Sequence, residues 1–170
     1  GNQLTAIQGG ARWYGEILPT VKRDLNFRST ALDNSCLLGS NDIPCSSRED
    51  LAFKVDGDSG PFTVEDPVAA ASPWVPRGQQ TVAWDPAGTD LAPVNCASVD
   101  IELSTDDGQG FDHMLASGVP NTGSAVVTLP NEESAIDQSR LKVSCSNNVF
   151  FNISAGFTIA AVCGDTVIGG

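Results

Sequence analysis

The chain has 170 residues, enough to bury roughly 70% of the surface that it exposes when unfolded, so it needs no metal to build a core. Its 21 acidic and 9 basic residues give a formal net charge of −12, which argues against a nucleic-acid partner or an anionic membrane surface. No apolar run approaches the roughly 18 residues of a membrane-spanning helix, so we expect no membrane insertion.

Residues 1–58 are predicted to form an N-terminal arm and a small β segment. Gly1–Gly10 is glycine-rich without a period, and the adjacent aromatic residues Trp13 and Tyr14 follow it. Three stretches then alternate apolar and polar residues over the length of a strand: 16–18, 25–32 and 51–56. Three strands are too few for a sandwich of their own. Either they dock on the rest of the chain, or they are the remnant of an upstream domain with a sheet edge open to a strand from another chain.

Five cysteines in a chain rich in Gly, Ser, Thr and Asn predict an oxidising compartment and therefore an extracellular protein, because no zinc-ligand spacing is present. Cys36 and Cys45 enclose a short turn-rich loop and are the first predicted disulfide pair. Cys96 precedes one predicted strand and Cys145 ends another, which makes them the second pair. Cys163 is left over, either buried as a free thiol or paired with another chain.

A cluster of turn formers, Asp56-Gly-Asp-Ser-Gly-Pro, predicts a domain boundary near residue 58. Beyond it, strands recurring about every 8–12 residues predict one all-β sandwich over residues 59–170. Val82 and Trp84 on one strand, and the Val/Ile/Leu alternation of 98–105 on the next, are predicted to form its core. The other predicted strands are 62–65, 113–117, 124–129, 141–145, 149–153 and 157–163, the last two joined as a hairpin through Ser154-Ala-Gly.

Several stretches of this part resemble a known module. Gln80-Thr-Val-Ala-Trp-Asp with Ser98-Val-Asp-Ile-Glu-Leu-Ser-Thr, and further on Val126-Val-Thr-Leu-Pro-Asn and Asn148-Val-Phe-Phe-Asn-Ile-Ser, are similar to the immunoglobulin- or fibronectin-like module behind the catalytic domain of secreted bacterial reprolysin-like zinc metallopeptidases. The similarity covers about residues 60–160. It implies an immunoglobulin- or fibronectin III-like antiparallel sandwich, with a peptidase domain as a neighbour in the chain.

The residue inventory predicts that the chain is not an enzyme. The zinc motif of such peptidases needs two histidines one helical turn apart with a glutamate beside the first, whereas His113 is the one histidine and lies in a strand pattern. No Gly-x-Ser-x-Gly turn is present to hold a nucleophilic serine.

The turn Asp106-Asp-Gly-Gln-Gly-Phe-Asp112 is the first candidate for a cofactor site, which would bind calcium through Asp106, Asp107 and Asp112. Asp56 with Asp58 is a second, weaker pair. Calcium loops alternate their acids at the first, third and fifth positions, and this turn does not. A hairpin turn whose acids face water is therefore the preferred interpretation.

Recognition and assembly remain as functions for a non-catalytic module. Trp13, Tyr14 and Trp74 lie outside clear inward positions, so exposed rings could bind carbohydrate or a partner protein. We expect a secreted accessory or structural module whose partners are its own peptidase domain or other copies of itself. The alternatives are a filament subunit built by β-strand exchange and a carbohydrate-binding module.

Overall fold

The computed structural model describes residues 21–32, 46–67, 73–131 and 135–161, and every regular element within them is a β-strand. The sheets are antiparallel, so the all-β prediction is confirmed for this part of the chain. No helix that could cross a membrane occurs among these residues. The chain divides into two units between Asp58 and Ser59, which are described separately below.

The unit before Ser59 contains a two-stranded ribbon. Its strands are β1 (Arg23–Leu32) and β2 (Ser46–Val55), paired without a register shift from Arg23 opposite Val55 to Leu32 opposite Ser46. Both strands were predicted from the alternation over 25–32 and 51–56. In the structure each begins earlier, β1 at Arg23 and β2 at Ser46. The predicted strand at 16–18 lies outside the described residues.

The unit from Ser59 onward contains two antiparallel sheets. One sheet has the strand order β3-β4-β7. The other has the order β10-β8-β5-β6, and β9 also pairs with β8. The strands are β3 (Thr63–Asp66), β4 (Gln79–Asp85), β5 (Ser98–Ser104), β6 (His113–Pro120), β7 (Ser124–Thr128), β8 (Ile136–Cys145), β9 (Phe151–Ile153) and β10 (Phe157–Ile159).

One hydrophobic core joins these two sheets. Ile101 and Leu103 of β5 lie opposite Val143 and Leu141 of β8, and all four side chains are fully buried. The same cluster includes Trp84 of β4, as the alternation predicted. Because each such side chain contributes about 1.5–3 kcal/mol on full burial, this shared stripe supplies much of the stability of the unit.

The predicted hairpin between 149–153 and 157–163 is wrong. β9 and β10 do not pair with each other. Both pair with β8, one after the other along its length: Phe151 of β9 lies opposite Ser144, and Phe157 of β10 lies opposite Ser139. Ser154 does not form the expected turn, because it is hydrogen-bonded to β8. Its N–H donates to Leu141 O at 2.8 Å, and its Oγ accepts a hydrogen bond from Leu141 N at 2.9 Å. Ser154–Gly156 is thus an irregular step in an edge strand.

The predicted bridge between Cys96 and Cys145 is present, with an S–S distance of 2.04 Å and a Cα–Cα distance of 6.0 Å. It joins the chain just before β5 to the end of β8, where Val99 and Cys145 are opposite each other. Both cysteines belong to the hydrophobic core. The predicted Cys36–Cys45 pair and Cys163 lie outside the described residues.

Candidate functional site

The acidic turn after β5 uses its first carboxylate to hold its own backbone. Asp106 Oδ1 accepts hydrogen bonds from Ser104 Oγ at 2.6 Å, Gln109 N at 3.0 Å and Gly110 N at 2.9 Å. Ser104 Oγ accepts a further bond from Gly108 N at 2.8 Å. The Ser104 hydroxyl, followed by the two backbone N–H groups, holds the pKa of the Asp106 carboxyl below its ordinary value, because these donors stabilise the ionised form.

The other two calcium candidates have different surroundings. Asp107 forms an ion pair with Arg140, whose Nε lies 2.7 Å from Asp107 Oδ1. Asp112 is exposed after the turn. Across the residues that the structure describes, no group of three or more His, Cys, Asp or Glu side chains could hold a metal ion. Asp106 thus uses one carboxylate oxygen to hold the backbone of its own turn.

We expect Asp106→Asn to be less stable than the wild type at neutral pH and nearly equal to it in acid. A carboxyl whose pKa is lowered by folding stabilises the protein above its unfolded pKa of about 3.9. That stability disappears as the pH falls through the folded value. Thermal midpoints measured from about pH 6 to about pH 2.5 should therefore converge.

Asp90→Asn is the matched control for Asp106→Asn, since Asp90 is also exposed and forms no comparable set of hydrogen bonds in the described structure. A gap between wild type and Asp106→Asn that stays constant with pH would contradict the role given to the ionised carboxylate.

His113 begins β6, opposite Leu103, and is half-buried. It thus occupies the strand position that its sequence pattern predicted.

Trp74 is buried, so the prediction that its ring lies outside the core is wrong. Its backbone forms a short parallel bridge at the edge of the larger sheet: its N–H donates to Thr158 O at 2.9 Å, and its carbonyl accepts from Ala160 N at 2.8 Å. The ring packs on Phe157 with centroids 4.7 Å apart and is 6% exposed. Trp74 cannot stack on a sugar without leaving the core. Trp13 and Tyr14 lie outside the described residues.

A buried amide stands beside the other core tryptophan. Asn121 Oδ1 accepts a hydrogen bond from Trp84 Nε1 at 2.8 Å, and Asn121 Nδ2 donates to Cys96 O at 3.0 Å. Gly123, with φ of 95°, permits the close approach of this turn, because a Cβ there would lie 3.2 Å from Trp84 O. Nothing in the sequence marked Asn121, since its partners are 37 and 25 residues away.

A candidate surface for a partner lies on the β1–β2 ribbon. Leu25 lies opposite Phe53 and Phe27 opposite Leu51, so these four side chains share one side, which we call the apolar face. Phe27 and Leu51 are 49% and 56% exposed. Phe27 and Phe53 meet edge to face with centroids 5.8 Å apart.

The opposite side of the ribbon is polar. Arg28 donates two hydrogen bonds, of 2.6 and 2.9 Å, to the carboxylate of Asp50. Asn26 lies opposite Ala52, and Asp24 lies opposite Lys54. The sequence predicted both strands and, as one alternative, a sheet edge open to another chain, but it did not single out the apolar face. The sequence feature that indicates this face is a pair of apolar residues two positions apart on each strand, Leu25 with Phe27 and Leu51 with Phe53.

A scan against protein-family models finds none that matches the chain, and a search of curated proteins finds no significant match.

Proposed function

We propose that this chain is a non-catalytic, secreted structural or accessory module with an immunoglobulin- or fibronectin-like sandwich at residues 59–170. The observation that carries the proposal is the strand order, β3-β4-β7 in one sheet and β6-β5-β8 with β9 and β10 in the other. If β3, β4 and β5 are lettered A, B and C and β6 is C′, the sheets read A-B-E and C′-C-F-G. On this lettering A, B and E lie in one sheet and C, F and G in the other, as in immunoglobulin-type sandwiches, although no described strand takes the place of D.

Two further observations support this fold. Core residues of both sheets belong to one hydrophobic cluster, as two sheets packed face to face require. The segments before and after residues 68–72 also pair with different sheets. Thr63–Asp66 pairs with β4 in the smaller sheet, whereas Trp74 pairs with Ile159 of β10 in the larger one. A first strand divided between two sheets helps to close the end of a sandwich.

The disulfide departs from the antibody arrangement. In antibody domains the bridge crosses between the sheets and packs on a tryptophan of the third strand. Here the bridge joins neighbours in one sheet, and Trp84 is on β4. The sandwich fold in this proposal is therefore supported by the strand order and the shared core.

The accessory role behind a metallopeptidase domain rests on the sequence resemblance, and the secreted location on the disulfide and the acidic composition. Both are testable on the natural protein. Non-reducing peptide mapping of protein recovered from culture medium should yield the Cys96–Cys145 linked peptide. Recovery from the cell interior with both thiols free would contradict secretion. The purified chain should cleave no casein or fluorogenic peptide, and cleavage that a zinc chelator abolishes would overturn the non-catalytic proposal.

A second candidate function is assembly into an extracellular filament through β-strand exchange, and the exposed β1–β2 ribbon favours it. Within the described residues neither strand of the ribbon pairs with a third strand, and an open strand edge is a site for strand addition. Two-stranded ribbons are marginally stable alone in water, which gives this one a reason to acquire a partner. Sedimentation at rising concentration and electron microscopy of the native material test this candidate: ordered fibres support it, and a uniform monomer contradicts it.

A further inference from the structure

We propose that two copies of this chain pair along the outer edge of β7, antiparallel and centred on Val126, so that two three-stranded sheets become one of six strands. β7 is the last strand in the order β3-β4-β7, and among the residues that the structure describes no strand pairs with its outer edge. The proposal does not depend on the filament candidate, because a contact in which both copies use the same edge closes at two copies.

The register of β7 on β4 decides which backbone groups of β7 point outward. Trp84 N–H donates to Gly123 O at 2.9 Å, and Leu129 N–H donates to Gly78 O at 3.2 Å. Both contacts are made by odd-numbered residues that flank β7. Because the direction alternates from residue to residue along an antiparallel strand, every odd-numbered residue here directs its N–H and C=O toward β4. The even-numbered residues direct theirs to the outer edge: Ser124, Val126 and Thr128.

This edge is complementary to a second copy of itself, because the three outward-pointing residues are symmetric about Val126. With Val126 opposite Val126, Ser124 of each copy lies opposite Thr128 of the other. Two opposed outward-pointing residues exchange two hydrogen bonds, so all three pairs contribute their N–H and C=O groups. The same register places valine beside valine and serine beside threonine on the exposed face of the sheet, and such cross-strand pairs stabilise antiparallel sheets.

The residues on either side of β7 favour this register over its neighbours. In the proposed pairing the next opposed residues are Thr122 and Pro130. Thr122 N–H already donates to Pro120 O at 2.8 Å, and Pro130 has no N–H to donate. A register shifted by two residues would bring one of them against β7 and lose hydrogen bonds. The pairing centred on Val126 uses every outward N–H of the strand.

The β7 edge lacks the features that usually keep sheet edges apart, which are charged side chains, proline and bulges. The opposite edge of the same sheet has them: β3 contains Glu65 and Asp66 and shifts register after Val64, whose N–H donates to Asn152 Oδ1 at 3.0 Å. By contrast, β7 has the sequence SAVVT and an unbroken register on β4, and Val126 is 62% exposed. In a chain of net charge −12, an uncharged strand lets two copies meet without placing acidic side chains opposite each other.

The experiment compares one substitution on two neighbouring strands of the full chain. Val126→Lys places like charges opposite each other at the centre of the proposed dimer, which destabilises a strand pair. Thr81→Lys is the matched control, because Thr81 lies opposite Val126 on β4, is also exposed, and is one strand further from the second copy. A contact of one short strand per copy is small and therefore weak, so sedimentation velocity should extend to about 1 mM protein. We expect the dimer to weaken on the order of tenfold in Val126→Lys and by less than about threefold in the control.

A cross-link tests the register. Opposed residues of a hydrogen-bonded antiparallel pair have Cα atoms about 5.5 Å apart, which lies within the range of roughly 4.4–6.8 Å that a disulfide spans. Oxidised Val126→Cys should therefore give a covalent dimer in which the peptide containing residue 126 is linked to its own copy. Ser124→Cys and Thr128→Cys chains should link with each other when mixed and link poorly alone. Thr81→Cys and wild type control for the cysteines that the chain already has.

Each alternative has its own result. A wild type that stays monomeric up to about 1 mM overturns the proposal. A dimer that both lysine variants weaken equally overturns the edge and assigns the contact to the face of the sheet. Slow exchange of the Val126 amide in the monomer would mean that another part of the chain covers β7, which overturns the second copy as its partner. Near-ultraviolet circular dichroism of the buried Trp74 and Trp84 verifies that the variants retain the fold.

Discussion

Replacing Cys96 and Cys145 together with alanine should lower the free energy of unfolding by about 4 kcal/mol. The bridge joins positions 49 residues apart, and in the chain-entropy model a cross-link over a loop of that length restricts the unfolded chain by this amount. Both side chains are also buried, so alanine removes packed sulfur atoms from the core. Urea unfolding followed by tryptophan fluorescence, which reports on Trp74 and Trp84, measures the loss.

Reduced wild type is the control for the alanine pair, since it has the same side-chain volume without the cross-link. It should lose most of the same free energy, because the loop entropy dominates. Equal stability of the reduced and oxidised wild type would show that the bridge does not stabilise this unit. A loss confined to the alanine pair would assign the effect to packing.

Asn121→Ala should lower the free energy of unfolding by about 3 kcal/mol. The amide is 4% exposed and accepts the Trp84 indole N–H while donating to the carbonyl of Cys96. With alanine at this position the Trp84 N–H and the Cys96 carbonyl lose these hydrogen bonds. Each buried group left unsatisfied costs about 1–3 kcal/mol. Chemical denaturation measures the change, and Asn131→Ala, at an exposed asparagine, should change it by less than about 0.5 kcal/mol.

A double-mutant cycle identifies the hydrogen bond as the cause. Trp84→Phe removes the indole N–H, so Asn121→Ala should cost about 1–2 kcal/mol less in that background than in wild type. Additive effects of the two substitutions would mean that Asn121 stabilises the turn through its other partners.

The strands of the core could be predicted from the sequence because their pattern is local. Ile101 and Leu103 alternate with Glu102 and Ser104, and Leu141 and Val143 alternate with Lys142 and Ser144, so one face of each strand is apolar wherever the strand lies. The Cys96–Cys145 pair followed because each cysteine flanks one of these strands.

The errors arose where distant contacts decide the conformation. Ser-Ala-Gly suits a turn, and only the bonds of Ser154 to Leu141 convert it into an irregular edge step. Trp74 sits among prolines that mark a loop, and its burial depends on Thr158 and Phe157 more than 80 residues later. No pattern within a short window contains that information.

The candidate sites were predictable to different degrees. The hydrogen bonds of Asp106 with Ser104 and Gly110 could not be predicted from the spacing of the acids, because they depend on how the backbone of the turn folds back. The two stripes of the ribbon are visible in the sequence. The sequence does not show whether Phe27 and Leu51 are covered, because the exposure of a side chain depends on which other elements pack against it.

The position of the disulfide also sets how the module would respond to tension. A pull applied to the chain on both sides of the bridge passes directly from Cys96 to Cys145, so the intervening segment cannot lengthen while the bond is intact. About 165 Å of extended chain is withheld in this way. β5, β6, β7 and most of β8 lie inside the protected loop, whereas β3, β4, β9 and β10 lie outside it. A pulled copy would therefore yield first at its outer strands, and its full extension would be about 165 Å shorter than that of the same chain with the bridge reduced.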